Sequence, residues 1–261
     1  MNEATIINLK IFPKRPDPKC IEQHQVPVAI KSISVLLQNH AEWDLAMLRI
    51  VPHIDGIKFV KRLALESNVE LSIVKQCLRQ LLYYECITMI DIFQHSNIYT
   101  TTLKLATLSC QVELQKECIQ YVQKKSFTLG EMLHDNTGNG KGTLLGTPPL
   151  HFSKLFALYC VLQPGLHVAD FAMQYETSLV QIDLRRFFTF GLIHGFVKRI
   201  HRYPVVVSSS NSPNGSIKSS PIAHLMTGRY NTDEICAREM ISYADLQQRM
   251  EKEEECYVIH K

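Results

Sequence analysis

Lys198, Arg199, His201 and Arg202 fall within five residues of the stretch FVKRIHRYPVVV, and Arg185 and Arg186 precede them. Guanidinium and ammonium groups at this density bind phosphate or carboxylate, with arginine adding a two-toothed geometry. A DNA interface typically uses about six to ten phosphate contacts, and this arm offers roughly half of that. Read as a strand, it places Lys198 and Arg202 on the face opposite Arg199, so no single basic stripe forms. The pattern therefore points to a solvated or protein-facing arm, with Lys198, Arg199 and Arg202 as the candidate partner-interface residues. A wing that grips DNA is the alternative.

Other chemistry is not supported by spacing. GNGKGT (138–143) has a phosphate-loop flavour, but Lys141 is followed by Gly142 where the hydroxyl that reaches magnesium would stand. The histidines do not cluster with carboxylates at a catalytic or metal spacing, and no G-x-S-x-G nucleophile motif occurs. None of the eight cysteines forms a C-x-x-C pair; they read as buried apolar thiols of a reducing compartment rather than zinc ligands. No catalytic, cofactor-binding or metal residues are assigned, and no cofactor is expected.

The totals agree with a binding role. The chain has 261 residues, 46% of them hydrophobic, and a net charge of only +3. A protein that lives on phosphate contacts concentrates positive charge more strongly. No apolar run approaches the roughly 18 residues that suggest a membrane span, and MNEATIINLKIF lacks the layout of a secretory signal. A soluble, cytoplasmic chain is expected.

The elements that would carry the arm follow from periodicity. Residues 1–40 read as an extended arm and linker, with TIINLKIF and VPVAI strand-like. Residues 41–102 read as a first winged-helix-like module. Met47, Ile50, Val51 and Ile54 share a helical stripe, Asp55-Gly56 turns the chain, and Phe59, Val60, Leu63 and Ala64 stripe a second helix. Leu71, Val74, Leu78, Leu81 and Leu82 stripe a third, and ITMIDIFQHSNIY suits a β-hairpin. That hairpin and its flank (87–102) contain no Lys or Arg and one Asp, so it is a poor DNA wing. Residues 103–150 form a helix, with Leu114, Cys118, Tyr121 and Val122 inward, and then a flexible loop. Residues 151–207 repeat the plan as a second winged-helix-like module. Phe152, Leu155, Phe156 and Tyr159 stripe its first helix and Val180, Leu184, Phe187 and Phe188 its third, which is expected to stop at Gly191. A Ser-rich linker (208–222) holds Ser212-Pro213 and Ser220-Pro221, which are candidates for phosphorylation. A C-terminal helix-helix-strand element (223–261) closes the chain, with Asn231/Glu234 and Ser242/Asp245 placed to cap its helices. The fold class is thus mainly α with small β-hairpins (α+β), as tandem winged-helix-like modules behind an extended N-terminal arm.

The motifs QVPVAI, W-D-L, I-D-G, V-E-L, L-L-Y-Y, S-N-I-Y, F-G-L-I, R-Y-P-V and Y-N-T-D-E-I-C run in order along Gln25–Cys236. In that order the chain resembles the nitrogen permease regulator 2 family, with the loops at 126–150 and 208–222 longer than usual. The resemblance implies a subunit of a GATOR-type complex. Such a complex accelerates GTP hydrolysis on Rag GTPases and negatively regulates TOR signalling at the lysosomal membrane surface in amino-acid starvation, a setting tied to autophagy. It also implies a longin-containing sister subunit of the nitrogen permease regulator 3 kind, a DEP-domain partner, and Rag GTPases met through the complex. Nucleic acid is not an expected partner. The family's longin-type domain carries the arginine credited with the rate. Residues 3–19 read as the exit from that domain, so no residue of this chain inherits the role, and the chain is expected to be a non-catalytic interaction portion. The competing expectation is a DNA-binding winged-helix transcriptional regulator.

Overall fold

The computed structural model describes residues 16–30, 43–124, 150–206, 222–253 and 256–261. The chain divides into two compact units, residues 1–89 and 90–261, and each has its own core.

In the first unit the helical period becomes three helices, α1 (Leu45–Ile50), α2 (Val60–Ser67) and α3 (Leu71–Tyr83), with a 3-10 turn at Val51–His53. The expected stripes converge. Met47, Ile50, Val60, Leu63, Val74, Leu78 and Leu81 are buried together, joined by Ile21, Cys77, Cys86 and Ile87. The Asp55-Gly56 turn is held by Asp55, whose Oδ1 accepts from the N–H groups of Ile57 (2.8 Å) and Lys58 (2.9 Å). Gly56 supplies the φ of +74° that an L side chain resists. No side chain caps α2. Its orphan N–H groups are taken by the backbone instead: Val60 donates to the Gln25 carbonyl (2.9 Å) and Lys61 to that of Gln23 (3.0 Å). The same segment then enters β1 (Val26–Ala29), which pairs with β2 (Ile87–Ile90).

The second unit begins with β3 (Ile98–Thr101), α4 (Leu105–Cys110) and α5 (Val112–Val122). It continues with α6 (Phe152–Cys160), α7 (Val168–Gln174), α8 (Glu176–Leu179) and α9 (Leu184–Ile193). Its core is aromatic: Tyr99, Tyr159, Phe171, Phe187, Phe188, Phe190 and Phe196 are all buried. Asp183 caps α9 by accepting from the Arg186 N–H at 3.1 Å. Two expectations fail here. Val180 lies before α9 and is 63% exposed, whereas Phe190, outside the expected stripe, is buried. The helix also runs through Gly191 to Ile193. The glycine serves packing rather than a stop: a Cβ there would lie 2.8 Å from Val197 Cγ2 and 3.1 Å from Tyr159 Cε1. Gly195, at φ +72°, makes the turn.

The strands pair differently from the expected hairpin over 87–99. β2 joins β1, whereas β3 pairs antiparallel with β4 (Val197–Ile200), with Tyr99 opposite Arg199 and Thr100 opposite Lys198. The segment between β2 and β3 is engaged elsewhere. Asn97 Nδ2 donates to the Ile92 carbonyl (2.8 Å), and the carbonyls of Asn97 and His95 accept from Val168 and Ala169 (both 2.9 Å) at the start of α7. β5 (Arg202–Val206) pairs antiparallel with β6 (Cys256–His260). Between these two strands lie α10 (Thr232–Glu239) and α11 (Tyr243–Lys252). Asn231 and Glu234 form a full capping box on α10. Ser242 caps α11 at 3.1 Å, while its hydroxyl donates to the Asp245 carboxylate rather than leaving that group for the backbone. This C-terminal element has a small core of Ile222, Leu225, Met226, Ile235, Leu246 and Met250. The result is a mainly helical α+β fold with short two-stranded sheets.

Candidate functional site: a buried charge seam beneath the basic arm

The basic arm becomes β4 and β5, and its three candidate side chains have different fates. Lys198 is exposed. Arg199 turns inward and meets Asp233, in the first turn of α10, through two hydrogen bonds: Nη1 to Oδ2, and Nη2 to Oδ1 at 3.1 Å. The two side chains are 6% and 1% exposed. The position of Asp233 also suits the partial positive charge of a helix N-terminus. Arg202 donates from Nη1 to the Tyr243 hydroxyl on α11, and its guanidinium carbon lies 5.7 Å from that ring's centre. The arm therefore fastens β4 and β5 to the two C-terminal helices.

The surroundings are polar but closed. Asn97 Nδ2 donates to the Tyr99 hydroxyl at 3.0 Å. Burial pushes the Tyr99 phenol up to about 12, with the Arg199 charge pulling the other way. For Arg199, burial disfavours the charge, but the Asp233 carboxylate more than offsets this and the pKa rises. His201 Nε2 stands 3.5 Å from Asp91 Oδ2, and its backbone exchanges two hydrogen bonds with Lys261, at 2.8 and 3.0 Å. The network is incompletely satisfied. Arg199 Nε, Arg202 Nε, His201 Nδ1 and Asn97 Oδ1 are buried without a hydrogen-bond partner among the described residues. Such a seam orients more than it stabilises, although removing one charge of a buried pair costs about 3–5 kcal/mol.

Asp233 went unmarked in the sequence. The capping motif N-T-D-E locates the start of α10, but nothing local says that its middle carboxylate meets an arginine 34 residues earlier. The flanking arginines separate from the seam: Arg185 stacks over Phe93 (5.7 Å), and Arg186 is half-exposed beside Asp183 (3.9 Å). The cysteines carry free thiols, but the expected burial holds only for Cys77, Cys86 and Cys118; Cys236 and Cys256 are partly buried, and Cys20, Cys110 and Cys160 are exposed. Among the described residues no group of three His, Cys, Asp or Glu side chains could hold a metal, and no helix is long and apolar enough to cross a membrane. GNGKGT and both Ser-Pro sites lie outside the described residues.

Aromatic helical packing, short strand pairs and a charge-fastened C-terminal element define a helical α+β protein. The family profile described as nitrogen permease regulator 2 matches residues 1–254, and the chain belongs to that family. It is 30% identical over 236 residues to the nitrogen permease regulator 2 homolog of Schizosaccharomyces pombe, covering 90% of this chain and 53% of that protein. It is 31% identical over 256 residues to the GATOR complex protein NPRL2 of Drosophila melanogaster, covering 98% and 55%. With nitrogen permease regulator 2 of Saccharomyces cerevisiae it shares 32% identity over 123 residues, covering 47% and 20%. The chain thus spans about half the length of the first two relatives.

Proposed function

We propose that this chain is a protein-interaction portion of a subunit in a GATOR-type complex, a complex that accelerates GTP hydrolysis on Rag GTPases and restrains TOR signalling in amino-acid starvation. The observation that carries the reading is family membership across residues 1–254, together with a Drosophila relative named as a GATOR complex protein. The partners are a longin-containing sister subunit, a DEP-domain subunit and, through the complex, Rag GTPases at the lysosomal surface. The two helical triads are of the winged-helix kind, used for assembly. In the arm, Lys198 is the side chain left free to meet a partner, while Arg199 and Arg202 hold β4 and β5 in place for it.

Co-expression tests this reading. The full chain should be recovered in one peak with the sister and DEP-domain subunits. Failure to recover either subunit would overturn it. Duplex DNA followed by fluorescence anisotropy at about 150 mM salt decides against the nucleic-acid alternative, since non-specific binding lies near 10⁻⁴ to 10⁻⁶ M. A tighter, sequence-dependent affinity would favour that alternative.

A further inference from the structure

Arg199 and Arg202 stand three residues apart, and their charges are met differently. Arg199 has the Asp233 carboxylate. Arg202 is half-buried, and among the described residues its side chain hydrogen-bonds only to the uncharged Tyr243 hydroxyl. Its Nε–H is buried without a partner. A guanidinium drawn partly out of water without a counter-charge is costly, and its planar fork is shaped for two oxygens of an oxyanion. The carboxylates of the neighbourhood are engaged elsewhere: Asp233 with Arg199, Asp91 with His201, and Asp245 with the Ser242 hydroxyl.

Two histidines join Arg202. His260 stands directly opposite it in the β5–β6 register. The next pair, His201 and Lys261, exchanges both backbone hydrogen bonds, at 2.8 and 3.0 Å. Arg202 and His260 are therefore the non-hydrogen-bonded pair, whose side chains lie closer together. Like charges in that position oppose each other. His167, at the start of α7, is the second histidine. The His260 pKa falls below 6.5 through burial first, and then through Arg202 and His167, so both cations act on that ring. His167 Nδ1 lies 3.0 Å from the Ser96 carbonyl oxygen. A carbonyl only accepts, so Nδ1 carries the proton and Nε2 is left for another partner. The Tyr243 hydroxyl accepts from Arg202 and keeps its own proton to donate.

We infer that Arg202, His260, His167 and the Tyr243 hydroxyl form a binding site for a dianionic oxyanion of the phosphate class. The donors come from β5, β6, the start of α7 and α11, so they suit a ligand with oxygens on several sides. A monocarboxylate answers the guanidinium alone, whereas the second charge of a phosphate group also favours protonation of the imidazoles. Bound there, the anion turns the repulsion between Arg202 and His260 into a shared attraction. Free phosphate and a phosphoryl group carried on a larger molecule share this chemistry. The site stands independently of the complex-subunit reading above.

The test follows the histidine ring resonances of the full chain by NMR while inorganic phosphate, O-phosphoserine or acetate is added at constant ionic strength. His260 and His167 should shift together and saturate with phosphate, and the His260 titration should move to higher pH. Acetate at the same concentration should shift neither ring to saturation. A tighter response to O-phosphoserine assigns the site to a phosphoryl group on a larger molecule, and an equal or weaker one to the free anion. Arg202→Gln should weaken phosphate binding about tenfold or more, the worth of a hydrogen bond to a charged group. His260→Gln, at an exposed position, should weaken it at an unchanged melting temperature, and Lys198→Ala should not weaken it. Wild-type phosphate affinity in both Arg202→Gln and His260→Gln overturns the inference. So do shifts that never saturate or that acetate reproduces, which would reduce the effect to screening of surface charge.

Discussion

The Tyr159 ring lies 4.0 Å from that of Phe187 at an interplanar angle of 15°, and the Tyr159 hydroxyl donates to the Phe187 carbonyl at 2.7 Å. One residue of α6 thus grips both the side chain and the backbone of α9, in a site with no exposure for either. Phe187→Ala removes the stacked ring and should cost about 3–5 kcal/mol. Tyr159→Phe keeps the ring and loses only the hydroxyl, with its hydrogen bond to the Phe187 carbonyl and its contact with the Cys118 thiol; each net hydrogen bond is worth about 0.5–1.5 kcal/mol. Chemical denaturation of the two variants should rank them in that order. Near-equal losses would mean that the hydroxyl, not the stack, is the main tie.

Asp233→Asn should destabilise the C-terminal element by about 3–5 kcal/mol, because Arg199 then keeps a buried charge without its carboxylate. Lys198→Ala, one residue away and exposed, should change stability by less than about 0.5 kcal/mol. Thermal melting of both variants checks the contrast. A silent Asp233→Asn would mean that the seam opens to water at little cost.

Gly191→Ala should destabilise by about 1–3 kcal/mol through overpacking, since its Cβ would meet Val197 at 2.8 Å. Adding Val197→Ala removes the atom it strikes. The double variant should therefore recover part of the helix gain of alanine over glycine, about 1 kcal/mol in a helix interior. Additive losses in the double variant would show that the crowding lies with Tyr159 instead.

Stability should fall on mild acidification. His194 packs between Phe190 (4.2 Å) and Phe196 (5.5 Å), and burial lowers its pKa below the usual 6.5, with Glu117 acting weakly in the opposite sense. A depressed histidine contributes stability that is complete above the unfolded pKa and is lost as pH falls through the folded one. The melting temperature should therefore drop as pH falls below about 6.5, and less steeply in His194→Gln. Identical slopes for the two proteins would assign the acid sensitivity to another group, such as His260, which is also lowered by burial and by Arg202.

The helices were legible in the order of residues because their signal is local. Val74, Leu78 and Leu81, or Leu155 and Tyr159, repeat at the helical period and are buried where that period puts them. The capping box at Asn231 could be read for the same reason, since its partners lie three residues apart. Strand partners could not be read. A four-residue strand such as β3 or β4 shows which face is apolar, but its hydrogen bonds can be met by any neighbour. In the folded chain Asn97 and His95 engage α7, and β3 pairs with β4 rather than with β2. The arm shows the same division. Composition marked Lys198, Arg199 and Arg202 as a basic cluster, whereas their separate fates were decided by Asp233 and Tyr243, which arrive from helices more than thirty residues further along the chain. The cost of desolvating a charge depends on what stands opposite it in space, and that is a property of the packed chain.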